Sequence, residues 1–238
     1  MNSSEFNQLL RELQDEWKKT ILLPYAEKHP EAISNPFYYR VSNEYFNANK
    51  RIMIIGQETN KFGVYTDNWN SQPWCVDYLR FQLWKIPSDS GEKYNASPFW
   101  RMFREFNNRG IVPSWNNVDK IQQYRKGENS PLSLELESFF SQRYGNDDKS
   151  LLQREIELDK PDILLFITGP YYCFTMATAL GLKEEVLKSY RPSSQKYCVE
   201  ITDLLNVGAK AFWTYHPRYL NQIHELLPCV DEISENFL

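Results

Sequence analysis

The clearest amphipathic spacing in the chain lies at residues 97–110, SPFWRMFREFNNRG. Its apolar residues recur at the i, i+3, i+4 and i+7 positions of one helical face. Ser97 is typical of a helix start, and Gly110 is typical of a helix end. A second amphipathic helix is predicted near the amino terminus, where Ser3 or Ser4 would cap it.

Other apolar segments are short and continuous, which is typical of strands that are buried on both faces of a sheet. Strands are predicted at 51–56, 111–117, 161–170, 197–205 and 209–217. Further helices are predicted within 133–160 and 171–182, and a long aromatic loop is predicted from Lys61 to Ala96. Because strands alternate with helices, we expect an α/β fold that is doubly wound around a mainly parallel sheet.

The composition is that of a folded globular protein. Of the 238 residues, 42% are hydrophobic and 15% are aromatic, so the chain can bury a large core. No repeat, low-complexity tract or change in composition marks a linker, and we therefore expect one domain over residues 1–238. No secretory signal pattern opens the chain, and no apolar run approaches the ~20 residues that span a bilayer. A cytoplasmic protein without a membrane segment is expected.

Charge and cysteine positions narrow the classes of partner. The net charge of −4 argues against a large non-specific nucleic-acid surface, although it leaves room for a local basic patch. The four cysteines contain no C-x-x-C pair, so neither a zinc site nor an iron–sulfur cluster is expected. Reduced thiols are the simplest interpretation of these cysteines.

Polar side chains follow three of the predicted strands at the point where each strand ends. Gln57 and Glu58 follow the first strand, Asn116 and Asn117 end the second, and His216 follows the last. In open α/β sheets, ligands bind beyond the carboxyl ends of the strands. A carboxylate, amides and a histidine brought together there would suit the recognition and cleavage of a polar heterocycle. Polar loops after strands are also common in sheets that bind nothing at that edge.

Four short motifs resemble, in the same order, those of the uracil-DNA glycosylase superfamily. They are Gly56-Gln57-Glu58, ASPFWRMFREF, NNVDK and TYHPRYL. This resemblance implies a three-layer α/β/α fold with a central, mainly parallel four-stranded sheet. It also implies a hydrolase that cleaves the N-glycosidic bond of uracil or a related damaged base during DNA repair. Such an enzyme needs no metal or cofactor and would bind DNA through a local basic rim. The sequence leaves the oligomeric state open, and a monomer is expected.

The resemblance assigns catalytic roles to two residues and base recognition to a third. Glu58 would orient the attacking water and stabilise the cationic sugar. His216 would donate a hydrogen bond where negative charge develops on the departing base. Asn117 would read uracil by donating to one carbonyl and accepting from the ring N–H. Asn116 takes that role if the register differs by one residue.

Further substrate contacts are implied around these three residues. Gly56 and Gln57 would line the base site, with Gln57 acting through its backbone N–H. Leu220 would be the apolar wedge that fills the vacated stack, or else a core leucine. Arg218 would contact a phosphate.

Other candidates for these contacts stay open. The stacking ring would be Phe62, Tyr65 or Phe81, and Lys188, Arg191 and Lys196 are further phosphate candidates. The remaining histidines, His29 and His224, lie in polar segments and are interpreted as solvated surface residues.

Four departures from the family pattern favour an alternative function, and one of them is the absence of the cluster cysteines of the thermophilic branch. Thr59 and Asn60 stand where the family has Pro-Tyr, Glu58 stands where Asp is usual, and Arg218 stands where a small residue is usual. The alternative is a catalytically inactive module of the same fold that binds a base or a nucleotide.

Overall fold

The structure is a computed structural model that describes residues 1–58, 62–67, 72–87 and 93–237. The strands in these ranges are β1 (Arg51–Gly56), β2 (Val112–Asn117), β3 (Gln123–Arg125), β4 (Glu128–Ser130), β5 (Ile163–Phe166), β6 (Cys198–Glu200) and β7 (Lys210–Thr214). The α-helices are α1 (Ser3–Trp17), α2 (Leu23–Lys28), α3 (Asn43–Phe46), α4 (Gln72–Trp84), α5 (Pro98–Asn108), α6 (Leu134–Phe140), α7 (Leu151–Asp159), α8 (Cys173–Leu180), α9 (Glu184–Lys188), α10 (Pro217–Gln222) and α11 (Leu226–Glu235). A π-helical turn, Lys18–Leu22, joins α1 to α2, and 3-10 turns lie at Pro170–Tyr172 and Thr202–Leu204.

The central sheet has the strand order β2-β1-β5-β7-β6. The first four strands are parallel to their neighbours, and β6 pairs antiparallel with β7 at the edge. The predicted α/β fold with a mainly parallel sheet is therefore confirmed, but the expected number of four strands is wrong. The fifth strand is antiparallel because a short connection joins β6 directly to β7, whereas parallel neighbours need a long crossover.

Helices cover both faces of the sheet, which gives the molecule three layers. Ile52 and Ile54 of β1 pack on the side of α5, α10 and α11, whereas Met53 and Ile55 pack on the side of α1, α7 and α8. All four side chains are fully buried. This double coverage explains why β1 is a continuous apolar run instead of an alternating one.

Two sequence predictions about helices are corrected. Asn2, and neither Ser3 nor Ser4, caps α1: its side chain accepts from the Glu5 N–H at 2.9 Å, and the Glu5 carboxylate accepts from the Asn2 N–H at 2.8 Å. The predicted loop from Lys61 to Ala96 contains α4, whose apolar residues do not recur on one face and so gave no helical signal.

Pro113 fits β2 because β2 is the edge strand on its side of the sheet. The N–H groups that point to β1 are those of the even-numbered residues, as in Val112 N–H to Lys50 C=O at 3.0 Å and Val118 N–H to Gly56 C=O at 3.0 Å. The missing N–H of Pro113 therefore faces outward, where no ladder bond is lost.

Candidate functional site

The carboxyl ends of the parallel strands are joined by hydrogen bonds beyond the strands themselves. The Asp119 N–H donates to the Gln57 carbonyl at 2.8 Å, and Gln57 Nε2 donates to the Thr168 carbonyl at 2.7 Å. The Gly169 N–H donates to the Thr214 carbonyl at 3.0 Å. These bonds connect the loops after β2, β1, β5 and β7 into one frame, so the polar residues on these loops have fixed relative positions.

A cavity of 610 Å³ opens at this edge of the sheet, a size suited to a small ligand or one nucleoside. Its polar lining includes Gln57, Glu58, Asn117, Gln122, His216 and Arg218. Its aromatic lining includes Phe62, Tyr78, Phe99, Trp100 and Trp115. The three strand ends thus place the two predicted catalytic residues and the predicted base reader around one cavity. Flat rings beside polar groups suit a planar heterocycle.

A shallower depression of 790 Å³ lies at the amino end of α1. Within the part of the chain that the structure describes, no buried side-chain atom of its lining lacks a hydrogen-bond partner. The smaller cavity at the sheet edge is therefore the stronger candidate, because unpaired buried polar groups are what a ligand would satisfy.

Asn117 presents an unpaired hydrogen-bond donor to the cavity. Its side chain is 1% exposed, and its amide nitrogen has no partner among the described residues. Its amide oxygen accepts from the indole N–H of Trp115 at 3.3 Å. A buried amide nitrogen without a partner costs about 1–3 kcal/mol, which a ligand carbonyl at this position would recover.

Gly56 makes room for this amide. It lies opposite Asn117 in the β1–β2 register, and a Cβ atom on Gly56 would lie 2.6 Å from the Asn117 Oδ1 atom. Any larger residue at this position would therefore displace the Asn117 side chain.

His216 caps α10 and is held as a neutral hydrogen-bond donor. Its Nδ1 accepts from the Arg218 backbone N–H at 3.2 Å, so a neutral ring carries its proton on Nε2. Burial lowers the pKa of His216 below its ordinary value, and the nearby charge of Arg218 lowers it further. The ring stacks on Phe99 with 6.2 Å between ring centroids. A neutral imidazole that donates from Nε2 can stabilise an oxyanion without giving up its proton.

Glu58 combines a partly buried carboxylate with an incomplete set of partners. Burial raises its pKa above the ordinary value; a side-chain hydrogen bond with Gln122 opposes that rise, and the charge of Glu137 adds to it. Its Oε2 atom has no hydrogen-bond partner in the described parts of the chain. A half-buried carboxylate with a free oxygen is what the positioning of a water molecule requires.

Sequence reasoning missed Asp119 and Tyr172, which interact electrostatically with Glu58. The Tyr172 hydroxyl donates to the Asp119 carboxylate, and burial raises the pKa of Asp119 well above the ordinary value. The charges of Glu58 and Glu137 raise it further. The sequence shows Asp119 within the NNVDK motif. It does not show on which face of the sheet the Asp119 carboxylate lies.

Asn116, the alternative base reader, faces away from the cavity. It is fully buried on the other side of the sheet, where its Nδ2 donates to the Glu155 carboxylate at 3.0 Å. Its Oδ1 accepts from the Lys120 ammonium and from the Asn117 N–H. Neighbouring residues of a strand point to opposite faces, so only Asn117 can reach the cavity.

The structure also gives the positions of the residues in two predictions about apolar contacts. Leu220 is fully buried in the core beside α5 and α11. A side chain without exposed surface cannot enter a duplex, so the wedge prediction is wrong and the alternative of a core leucine is right. Of the three candidate stacking rings, Phe62 lines the cavity, while Tyr65 and Phe81 lie outside its lining.

Phe99 and Trp115 line the cavity although the sequence placed them only in a helix and a strand. Their positions could have been found only from the pairing of the strand ends with the amino end of α5.

Among the basic residues, Arg218 is exposed and lines the cavity, and its contact with a phosphate stays a prediction. Lys188 is exposed but pairs with Glu184 at 2.7 Å. Arg191 and Lys196 are exposed outside the lining. His29 and His224 are exposed, as their polar context predicts.

Thr59 and Asn60, at which the chain departs from the family motif, lie outside the described residues. Within the described ranges, no group of three histidine, cysteine, aspartate or glutamate side chains is placed to hold a metal ion. None of the helices described there is both long and apolar enough to cross a bilayer.

No family model matches the chain, and no curated protein matches it.

Proposed function

We propose that the chain is a DNA glycosylase-like hydrolase that cleaves the N-glycosidic bond of uracil or a related damaged base. The observation that carries the proposal is the buried amide nitrogen of Asn117, which finds no partner among the described residues and lies in the same cavity as Glu58 and His216. Resemblance of the four motifs to the uracil-DNA glycosylase superfamily, which assigned the roles of these residues, is a second support.

Each of the three groups has a chemical role in this reaction. Asn117 donates from Nδ2 to a base carbonyl and fixes the base in the cavity. As the glycosidic bond breaks, negative charge grows on the base, and the Nε2–H of His216 stabilises it; such a donor contributes roughly 2.7–4 kcal/mol in comparable sites. Glu58 orients the water that attacks the sugar and stabilises the positive charge on the sugar.

Exposed tyrosines near the cavity favour a nucleic acid over a free base as the substrate. Tyr171 is 94% exposed and follows β5, and Tyr219 is 40% exposed on α10. The Tyr219 ring lies 4.7 Å from the Tyr215 ring, and Arg218 precedes it at the cavity. Rings of this kind stack on the bases that flank a flipped nucleotide, while a guanidinium contacts the phosphates.

The experiment that tests the proposal is base release from labelled oligonucleotides that contain uracil, hypoxanthine or a mismatch, followed by alkali to cut the abasic product. We expect cleavage by the wild-type protein and loss of cleavage in Glu58→Gln. The exposed carboxylate variant Glu157→Gln, outside the cavity, is the matched control and should retain full activity. Equal activity in Glu58→Gln and in the wild type would remove Glu58 from the reaction.

The excess of acidic residues, 31 against 27 basic ones, favours a second candidate, a binding module for a base or nucleotide. A wild-type protein that binds a nucleobase but releases none from any oligonucleotide would establish this alternative.

A further inference from the structure

The Asn117 amide can face the cavity in two ways that differ little in shape but are opposite in hydrogen bonding. With Nδ2 toward the ligand it offers a donor, and after a half-turn it would offer an acceptor. The indole N–H of Trp115 lies 3.3 Å from Asn117 Oδ1. Because an indole is a donor only, a half-turn would place an N–H group against the amide NH₂ and leave both unpaired.

The indole itself is held in place by neighbouring rings. Trp115 and Asn117 lie two residues apart on the same face of β2. The Trp115 ring packs edge-on against Trp100 with 5.3 Å between centroids and against Phe99 with 5.8 Å. A packed indole therefore has no freedom to follow a rotating amide.

We propose that Trp115 is a positioning residue that sets the base preference of the cavity. Its indole N–H holds the Asn117 amide with Nδ2 toward the ligand, so the site accepts a base that presents a carbonyl oxygen there and rejects one that presents an amino group. Uracil presents a carbonyl at this position and cytosine presents an amino group, so the cavity prefers uracil to cytosine. This inference rests on the proposed function, since it names the substrate class of the same cavity.

The test compares Trp115→Phe with Trp17→Phe. The second variant also removes an indole N–H, which donates to the Phe140 carbonyl at 3.3 Å, but it lies in a separate core cluster. Single-turnover release of uracil and of cytosine is measured from otherwise identical oligonucleotides. In Trp115→Phe we expect the uracil-to-cytosine rate ratio to fall by roughly tenfold, because the amide is free to turn. Trp17→Phe should retain the wild-type ratio.

A spectroscopic measurement tests the hydrogen bond without a substrate. In Asn117→Ala, the Trp115 indole N–H loses its acceptor, so its proton resonance should move while that of Trp17 stays. An unmoved Trp115 resonance would overturn the proposal. A wild-type ratio in Trp115→Phe, or an equal fall in Trp17→Phe, would overturn it as well.

If the proposed glycosylase activity is absent, the same variants are compared by ligand binding, and the results distinguish that failure from failure of the positioning role. If the wild-type protein releases no base, the affinities of free uracil and free cytosine are measured by calorimetry for the wild type and Trp115→Phe. A wild-type preference for uracil that shrinks in the variant supports the positioning role even though cleavage has failed. Equal wild-type affinities, or binding of neither base, would overturn the positioning role together with the substrate class.

Discussion

Asn116 and Asn117 are neighbours on β2, yet they belong to two different kinds of polar site. Behind the sheet, Asn116 bonds to Lys120 and Glu155, and the second Glu155 oxygen accepts from Gln14 at 2.7 Å. No side-chain nitrogen or oxygen of these four residues lacks a partner in the described chain. On the cavity side, Asn117 Nδ2 and Glu58 Oε2 both lack one.

This difference in hydrogen-bond pairing indicates that the network behind the sheet serves stability and the cavity side serves function. A paired buried polar network holds elements together, and these four residues fix α1 and α7 against the sheet. Arg40, which donates to Gln14 Oε1 at the margin of this network, keeps two guanidinium nitrogens without a partner among the described residues. Buried polar atoms without partners cost free energy in the folded protein, and those of Asn117 and Glu58 line a cavity in which a ligand could pair them. Residue type alone does not distinguish the two sides, because each contains an asparagine and a glutamate.

The largest effect is expected from a change that disrupts the polar network of Asn116, Lys120, Glu155 and Gln14 behind the sheet. Lys120→Met would leave the fully buried Glu155 carboxylate without its cation, which lies at 2.6 Å, and should lower the free energy of unfolding by about 3–5 kcal/mol. Asn117→Ala on the other face should cost less than about 1 kcal/mol, because the loss of one neutral hydrogen bond is offset by removal of the unpaired amide nitrogen. Denaturant unfolding of both variants measures the contrast, and equal losses would show that the two sides do not differ.

A second change disturbs the cavity side without introducing a charge. Gly56→Ala places a Cβ atom 2.6 Å from Asn117 Oδ1 and should push the amide out of position. We expect the rate of base release to fall by roughly ten- to a hundredfold, the effect of mispairing one buried polar group. Gly208→Ala, whose added Cβ meets nothing within 4 Å, is the matched control and should leave the rate unchanged.

A third change tests whether the cavity belongs to a nucleic-acid site. Tyr171→Ala should weaken binding of an oligonucleotide that contains uracil by about tenfold, since one stacked base contributes ~1–3 kcal/mol. Free uracil should bind unchanged, because Tyr171 lies outside the cavity lining. Leu134→Ala, at an exposed apolar residue on α6, is the control for general surface effects. Fluorescence anisotropy measures the affinities. An unchanged affinity of Tyr171→Ala for the oligonucleotide would exclude Tyr171 from the interface.

The smallest expected effect concerns the cost of keeping Glu58 ionised. Because burial raises its folded pKa above the unfolded value, the folded state binds the proton more tightly. Its contribution to stability is therefore full below the unfolded pKa and is lost as pH rises through the folded pKa. Glu58→Gln should raise the free energy of unfolding at pH 7 by roughly 1 kcal/mol, as removal of strained functional groups commonly does.

The same substitution has no such effect once Glu58 is protonated. Wild type and Glu58→Gln should converge in stability at low pH, and denaturant unfolding across the pH range measures this. A variant less stable than the wild type at neutral pH would contradict the account of Glu58.

Much of the fold could be predicted from the sequence, because strong local signals specify its strands and helices. The β1 run at 51–56 and the helix after Ser97 lie where the pattern places them. The meeting of Glu58, Asn117 and His216 follows from their positions at the ends of parallel strands.

What could not be predicted depends on contacts between distant segments. The choice between Asn116 and Asn117 needs the face of β2, which a slip of one residue reverses. The Trp115 hydrogen bond needs side-chain geometry, and the burial of Leu220 needs the packing of α10 against α5 and α11. None of these is encoded in local spacing.

The most direct test of the central claim is a titration of the ¹⁵N-labelled protein with free uracil, observed through the side-chain amide resonances of the asparagines. The account predicts that the Nδ2 protons of Asn117 shift as uracil binds, because they gain an acceptor. The Asn116 resonances should stay in place, since that amide is already paired behind the sheet. Asn117 resonances that stay unmoved at saturating uracil, or Asn116 resonances that move as far as those of Asn117, would contradict it.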